Sequence, residues 1–450
     1  MLQLEEMQRR AWYIFTLVST LGSWSCGSDS GAGPRGAAGA SIGGTAAGST
    51  AGSGPSAGSN ATAGAAAGGV STAGASSGGM PSAGGGGSNN AGSAGAPPKA
   101  SGTPLVYVGG VGNFPLRVYE LNPATGALTQ KGADEDGGRS PSYLALDPSG
   151  THLYNANEEN GDTAGVTAHQ IKADGTLAPL NHQKGSDKTP QSCDGSCGFT
   201  HVAVDPTGKF VLAADYDGGS VSVFPINPDG SLGAEKQLLE FGSDAEAHSV
   251  AFDPAGKFAF VPTLGLDQVQ QLKLGADGML SANSPANVMS PGNAGPRHMS
   301  VHPGGKLAFV INETASTVTP YAISADGKLA PGSSVSTLPS GANGESFGQH
   351  IKLSPDGHFL YGSNVGHDSL VVFSVEQSSG ALTWLQDQPS GGAWPRDFDV
   401  DPNGELLVAA NRDSNSLAVF EIGNDGKLSA LGQPTIVPEQ PTSVVIRYNP

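Results

Sequence analysis

Residues 200–223 read THVAVDPTGKFVLAADYDGGSVSV, and this stretch decides the fold. Apolar residues alternate with small or polar ones on both sides of the Asp-Pro-Thr-Gly sequence at 205–208, which is the period-two pattern of β-strands. Pro at the second turn position and Gly at the fourth suit a type I turn, which reverses the chain. A second turn, Asp-Gly-Gly at 217–219, follows the second strand. The stretch therefore predicts three consecutive antiparallel strands.

The same turn recurs along the chain, in the form Asp-Pro-x-Gly or a close relative, at intervals of 58, 48, 49, 52 and 47 residues. The six copies begin at Asp147, Asp205, Asp253, His302, Ser354 and Asp401. Four strands fit into each interval, and no helical pattern separates them, which is typical of the blades of a β-propeller. A β-sandwich does not explain a fixed four-strand period.

The two ends of the repeating region complete the count of blades. Residues 105–108 match the strand that follows a turn, whereas residues 443–446 match the strand that precedes one. The two ends therefore share a blade. Six turns and this shared blade predict an all-β, seven-bladed propeller over residues 103–450, closed so that no long strand edge is exposed.

The first 102 residues have a different composition. Arg9 and Arg10 precede an apolar run at 11–21, and small residues lead to Cys26, which is the order of a secretory signal. We predict a signal peptide at 1–26 with Cys26 as a bacterial lipoprotein site; ordinary secretion with nearby cleavage is the alternative. Residues 27–102 are almost all small or polar, which predicts a disordered Gly/Ala/Ser-rich linker. The expected location is extracytoplasmic, with the membrane contacted only through the lipid.

The remaining cysteines, Cys193 and Cys197, lie four positions apart in a glycine-containing loop. In an oxidising compartment we expect them to form a disulfide. A zinc site is the alternative, but one Cys-x-x-x-Cys without a second ligand pair is weak evidence for it. We predict no metal ion and no cofactor.

The formal net charge of −18 argues against nucleic acid as a partner, because an acidic surface repels phosphates. We expect the partner to be a small molecule and the protein to be a monomer.

The residue five positions before each turn should lie at the entrance of the innermost strand of its blade. These residues are Ser142, Thr200, His248, Arg297, Gln349 and Arg396, with Thr442 equivalent in the last strand. Strand side chains alternate, so all seven should point the same way, towards the central opening. An imidazole and two guanidinium groups in one ring suit anion capture and acid–base chemistry.

The residues one position further on should face the opposite way. They are Tyr143, His201, Ser249, His298, His350, Asp397 and Ser443. We expect them to serve in the core or between blades.

The loops between the second and third strands should open on the same face. Their aligned positions are Glu158, Asp217, Asp267, Glu313, Val365 and Arg412. Glu313 is singled out because it lies beside the Arg297 blade. Arg412 either binds a substrate anion or forms a surface ion pair with Asp413.

Several short motifs in these strands and loops, in this order and spacing, resemble the lactonase family of propellers, which includes bacterial 6-phosphogluconolactonase and the carboxymuconate-lactonizing enzymes. The motifs are Gly295-Pro296-Arg297-His298, Asn312-Glu313, Ser336-Thr337-Leu338-Pro339, Gly344-Glu345, Gly366-His367-Asp368-Ser369 and Pro395-Arg396-Asp397-Phe398. The resemblance covers about residues 105–445.

This resemblance implies that His248, Arg297 and Glu313 are the acid–base and anion-binding residues. Relatives carry a second Arg before Gly-His-Asp-Ser, where this chain has Val365. We expect that Arg396, Arg412, Glu345 and Gln349 bind substrate, and that Arg412 replaces the missing Arg from the neighbouring blade.

The sequence and the resemblance together predict a lactone hydrolase that opens an anionic sugar or aromatic-derived lactone. A surface-tethered propeller that binds sugar or protein without turnover is the alternative.

Overall fold

The computed structural model describes residues 99–159, 163–186 and 198–449. The predicted signal peptide, the linker, Cys26, Cys193 and Cys197 lie outside the described residues. Within the described residues, thirty strands form seven antiparallel sheets, and each sheet is one blade. The predicted all-β propeller is confirmed.

The first four blades contain four strands each, numbered in chain order. Blade 1 contains β1 (Thr103–Gly110), β2 (Arg117–Leu121), β3 (Leu128–Gln130) and β30 (Pro441–Asn449). Blade 2 contains β4 (Pro141–Leu146), β5 (His152–Asn157), β6 (Gly165–Ile171) and β7 (Leu177–Lys184). Blade 3 contains β8 (Phe199–Val204), β9 (Phe210–Asp215), β10 (Ser220–Pro225) and β11 (Gln237–Glu240). Blade 4 contains β12 (Ala251–Phe252), β13 (Phe258–Thr263), β14 (Gln268–Leu274) and β15 (Leu280–Met289).

The fourth strand is divided into two short segments in blades 5 and 7. Blade 5 contains β16 (Pro296–Val301), β17 (Leu307–Asn312), β18 (Thr317–Ile323), β19 (Leu329–Pro331) and β20 (Val335–Ser336). Blade 6 contains β21 (Phe347–Leu353), β22 (Phe359–Val365), β23 (Ser369–Val375) and β24 (Leu382–Pro389). Blade 7 contains β25 (Pro395–Val400), β26 (Leu406–Asn411), β27 (Ser416–Ile422), β28 (Leu428–Ala430) and β29 (Thr435–Ile436).

The repeated turn joins the first two strands of a blade through its own hydrogen bonds. In blade 3 the amide of Gly208 donates to the carbonyl of Asp205 at 2.8 Å, and Gly208 has a φ of 68°. One carboxylate oxygen of Asp205 also accepts from the amides of Lys209 and Phe210, each at 2.7 Å. Asp, Pro and Gly thus each contribute to the reversal, which is why the motif marks the blades.

The apolar core consists of seven clusters, and each cluster fills one interface between neighbouring blades. Strand β9 shows how alternation supplies two of them. Its Val211 and Ala213 pack towards blade 2, whereas Leu212 and Ala214 pack towards blade 4. Both faces of each blade are therefore buried against its neighbours.

Closure of the ring has the predicted form. Strand β30 is the innermost strand of blade 1 and pairs antiparallel with β1, with Val106 opposite Ile446 and Val108 opposite Val444. The two ends of the propeller therefore share one blade.

Near the entrance of the innermost strand, each blade has one residue more on the innermost side than on the paired side of the neighbouring strand. In blade 5, Pro296 pairs with Asn312 and His298 pairs with Ile311, so Arg297 is the extra residue of a β-bulge. Blades 1, 2, 3, 6 and 7 show the same shift of register. In blade 4, Ala247 pairs with Thr263 and Ala251 pairs with Phe260. The first members of these two pairs are four residues apart and the second members are three apart, so one residue is again extra. A bulge changes the direction of a side chain, so this repeated feature shapes the central opening.

Candidate functional site

Arg297, in the bulge of β16, lies at the centre of a buried polar cluster. Its Nε donates to Glu313 Oε2 at 2.9 Å, and its Nη1 donates to the backbone carbonyl of Gln349 at 2.7 Å. The side chains of Arg297 and Glu313 are only 4% and 7% exposed. A buried guanidinium held by a carboxylate and a carbonyl is stiff, because it has few alternative positions.

His248 approaches the same carboxylate oxygen of Glu313 as Arg297 does. Its Nε2 is 3.9 Å from Glu313 Oε2, and its ring makes an edge contact with Tyr216. Blades 4 and 5 thus bring together the three residues His248, Arg297 and Glu313. This triad holds an imidazole and a guanidinium against one buried carboxylate.

Arg396, in the bulge of β25, reaches across the opening. Its Nη2 lies 3.2 Å from Glu158, which follows β5 in blade 2, although blade 1 separates the two blades in the ring. The two predicted ring arginines therefore each have a carboxylate partner.

The other predicted substrate-binding residues lie at different places. Arg412 Nε is 3.9 Å from Asp413 Oδ1, and the guanidinium lies over the Trp394 ring with its carbon 5.6 Å from the ring centre. Gln349 is buried and contacts Arg297 through its carbonyl. Glu345 is exposed in the loop before β21. Val365 is buried at the end of β22, where it pairs with Phe347.

A second layer of side chains lies one residue further along the innermost strands. The ring of His201 stacks on Tyr143 at 4.1 Å, and His298 contacts the rings of Tyr143, His201, His248 and His350 at 5.2–5.6 Å. These residues come from blades 2, 3, 4, 5 and 6, and rings from blades that are not neighbours can meet only at the axis. We call Tyr143, His201, His298, His350 and Asp397 the second layer.

The prediction that the second layer faces away from the opening is therefore wrong. Alternation requires a regular strand, and the bulge at Arg297 lets two consecutive side chains, those of Arg297 and His298, approach the same axis. The expected role between blades is nevertheless present. Asp397 Oδ2 accepts from the amide of Val444 in blade 1 at 3.0 Å.

Burial changes the protonation of the second layer. It lowers the pKa of His201 to about 3, and it lowers the pKa values of His298 and His350 well below their usual range, with the charge of Arg297 acting in the same direction. Burial also raises the pKa of Asp397 to about 7. The layer therefore contains neutral imidazoles and a carboxyl group that titrates near neutrality.

No cluster of three or more His, Cys, Asp or Glu suited to a metal ion occurs within residues 99–159, 163–186 and 198–449. In the same ranges, no helix is long and apolar enough to span a membrane.

Comparisons with known proteins agree with this architecture. The sequence model described as "Lactonase, 7-bladed beta-propeller" matches residues 106–446. A 6-phosphogluconolactonase of Bacillus subtilis is 34% identical over 74% of this chain and 96% of its own length. That of Serratia proteamaculans is 30% identical over 73% of this chain and 95% of its own length.

Two solved structures add to the likeness. A putative 6-phosphogluconolactonase from Bacteroides fragilis superposes with a TM-score of 0.68 at 30% identity, covering 78% of this chain and all of its own. A periplasmic gluconolactonase of Pseudomonas aeruginosa superposes with a TM-score of 0.69 at 27% identity, covering 77% of this chain and all of its own. The chain belongs to the seven-bladed β-propeller lactonase family.

Proposed function

We propose that the protein is a lactone hydrolase and that the triad of His248, Arg297 and Glu313 is its catalytic centre. The observation that supports this most is the buried arrangement of one guanidinium, one carboxylate and one imidazole, in which the guanidinium and the imidazole each lie within 3.9 Å of the carboxylate. The names of the relatives support the same reaction.

In the proposed reaction each of the three groups has a defined role. His248 takes a proton from water while the water oxygen bonds to the ring carbonyl carbon, and Arg297 stabilises the negative charge that develops on the carbonyl oxygen. The bond from that carbon to the ring oxygen then breaks, and the ring oxygen takes up the proton from His248. Glu313 holds Arg297 in place and stabilises the imidazolium that forms in between.

We further propose that the substrate is an unphosphorylated lactone of a sugar or an aromatic-derived acid. Arg297 and Arg396 are each paired with a carboxylate, so the opening offers little net positive charge to a phosphate dianion. A single carboxylate on the substrate would be held by Arg396, with Arg412 from the same blade.

The test is a panel of lactones, with acid release measured above the rate in buffer. Wild type should open an unphosphorylated lactone that carries one carboxylate faster than it opens 6-phosphoglucono-1,5-lactone. His248→Asn should lower kcat/KM by at least about 100-fold, as expected for the loss of a general base. His169→Asn is the matched control, because His169 is also a buried histidine but bonds to Asn155 in blade 2. Equal loss in both variants would contradict the assignment.

A binding protein without turnover is the alternative, and the same panel decides it. If no lactone is opened faster than in buffer while ligands raise the melting temperature, the binding function is correct.

Arg412 has its own test. If it binds the substrate carboxylate, Arg412→Ala should lower kcat/KM by an amount that corresponds to about 2–5 kcal/mol of lost transition-state stabilisation. The melting temperature should change little. Full activity would contradict a role for Arg412 in substrate binding.

We also propose an extracytoplasmic, lipid-anchored monomer. The sequence around Cys26 supports the anchor, and the Pseudomonas relative is described as periplasmic. Cys26→Ser should release the protein from the membrane fraction, and unchanged retention would contradict the anchor. Sedimentation of the released protein should give the mass of one chain.

A further inference from the structure

A continuous series of contacts joins Arg297 to a carboxyl group on blade 7. Arg297 Nη1 lies 3.2 Å from His298 Nε2, and His298 Nδ1 lies 2.9 Å from His350 Nδ1. His350 Nδ1 in turn lies 3.2 Å from Asp397 Oδ1. All four side chains are more than nine-tenths buried.

The positions of the protons in this series follow from which atoms can donate. A guanidinium can only donate, so His298 Nε2 must accept and its single proton must be on Nδ1. His298 Nδ1 then donates to His350 Nδ1, which must be unprotonated, so the proton of His350 is on Nε2. An ionised Asp397 oxygen would face the lone pair of His350 Nδ1 at 3.2 Å, which is repulsive. A protonated Asp397 removes this repulsion.

We propose that Asp397 is a positioning residue for the lactonase reaction, and that only its protonated form keeps Arg297 in its working position, through His350 and His298. The proposal rests on the proposed role of Arg297 in catalysis.

Ionisation of Asp397 would change the whole series. The new negative charge favours a proton on His350 Nδ1, which then donates to Asp397. His298 Nδ1 must accept in its place, so the His298 proton moves to Nε2. This proton faces the N–H of Arg297 Nη1, and two donors cannot share a hydrogen bond. Arg297 is then pushed away from its contact with the Gln349 carbonyl.

The groups around Asp397 allow this titration in the neutral range. Burial in the ring raises the pKa of Asp397 to about 7, and the like charge of Asp399 on the same strand also raises it. The hydrogen bonds from Val444 and Ser443 of β30 and the Lys352 ammonium of β21 lower this pKa. Tyr143 of β4 and His350 of β21 face it and carry no charge at neutral pH, because burial raises the pKa of Tyr143 well above its usual range and lowers that of His350.

The kinetic test compares kcat/KM at pH 6 and pH 8, each corrected for spontaneous hydrolysis. Because His248 acts as the base in both proteins, its pH dependence cancels in the ratio of the kcat/KM of wild type to that of Asp397→Asn, whose amide cannot ionise. This ratio should fall about tenfold from pH 6 to pH 8, the fall expected for one group that titrates near 7. Asp399→Asn is the matched variant, and it should move the fall to lower pH, because it removes a like charge and leaves Lys352 beside Asp397. Parallel profiles in all three proteins would overturn the proposal.

A second measurement does not depend on activity. Nitrogen-15 NMR of histidine-labelled protein reports which ring nitrogen carries each proton, and His298→Gln and His350→Gln assign the signals. At pH 6 the protons should be on His298 Nδ1 and His350 Nε2, and both should move at pH 8. Fixed tautomers would overturn the proposal even in an active enzyme. Shifting tautomers together with a fully active Arg297→Ala would instead refute the catalytic role of Arg297.

Discussion

Replacement of Glu313 by Gln tests whether the triad depends on a buried charge pair. Gln has the shape of Glu and can still accept from Arg297 Nε, so the change removes the negative charge 2.9 Å away and little else. Both side chains are at least 93% buried, and a buried ion pair that loses one member costs about 3–5 kcal/mol of folding free energy. We therefore expect Glu313→Gln to be destabilised by that amount and to lose most of its activity.

Urea unfolding measures the stability, and a double variant separates charge from shape. Arg297→Met combined with Glu313→Gln removes both charges and should recover most of the lost stability while remaining inactive, because a buried pair is often replaceable by uncharged residues. Asp134→Asn is the matched control. It also removes the carboxylate 3.0 Å from a buried guanidinium, that of Arg117, but Asp134 is 43% exposed, so we expect a smaller loss. A loss below about 1 kcal/mol for Glu313→Gln would show that water screens the pair, and would refute the reasoning.

Three further predictions concern pH and the cysteines. In the unfolded chain His201 takes up a proton as the pH falls below 6.5, whereas native His201 stays neutral down to about pH 3. The protein therefore loses stability as the pH falls over this range. In urea unfolding, His201→Phe should remove about 3 kcal/mol of the stability loss between pH 7 and pH 4.5. Native Asp397 keeps its proton up to about pH 7, so its contribution to stability falls as the pH rises from 4 to 7. Asp397→Asn should therefore gain about 3 kcal/mol relative to wild type over that rise, and a constant difference would refute the shift. Cys193 and Cys197 should resist alkylation in native, unreduced protein, and two labelled thiols would exclude the disulfide.

The fold could be predicted from sequence because its signals are local. Each Asp-Pro-x-Gly turn is formed by atoms within about five residues, as the bonds to Asp205 show, and the alternation in β9 follows from one strand alone. The shared first blade could be predicted as well, because residues 105–108 match the strand after a turn and residues 443–446 match the strand before one. Each end of the propeller therefore lacks a strand that the other end supplies.

The arrangement of the site could be predicted only in part. His248, Arg297 and Glu313 do lie together as the sequence predicts, but the second layer lies at the axis rather than away from it. A bulge depends on the pairing register of two strands, and nothing in the sequence around Arg297 shows that one residue is extra. The alternation rule therefore fails at this position. Two consecutive polar residues such as Arg297-His298 or Arg396-Asp397 on an innermost strand could have indicated the second layer.

The closure of the ring has a consequence for the order in which the protein folds. Blades 2 to 7 each form from strands within about 60 residues, whereas Leu105 pairs with Arg447 across 447 − 105 = 342 residues. Bringing the two ends together over that distance costs only about 1–2 kcal/mol more than over 50 residues. Closure therefore adds little to the free energy of folding, but it is a slow step. Strand β30 also carries Ser443 and Val444, which link blade 1 to Leu144 of blade 2 and to Asp397. The second layer therefore reaches its final geometry only when the last strand docks, and an open ring with six finished blades would be a folded but inactive intermediate.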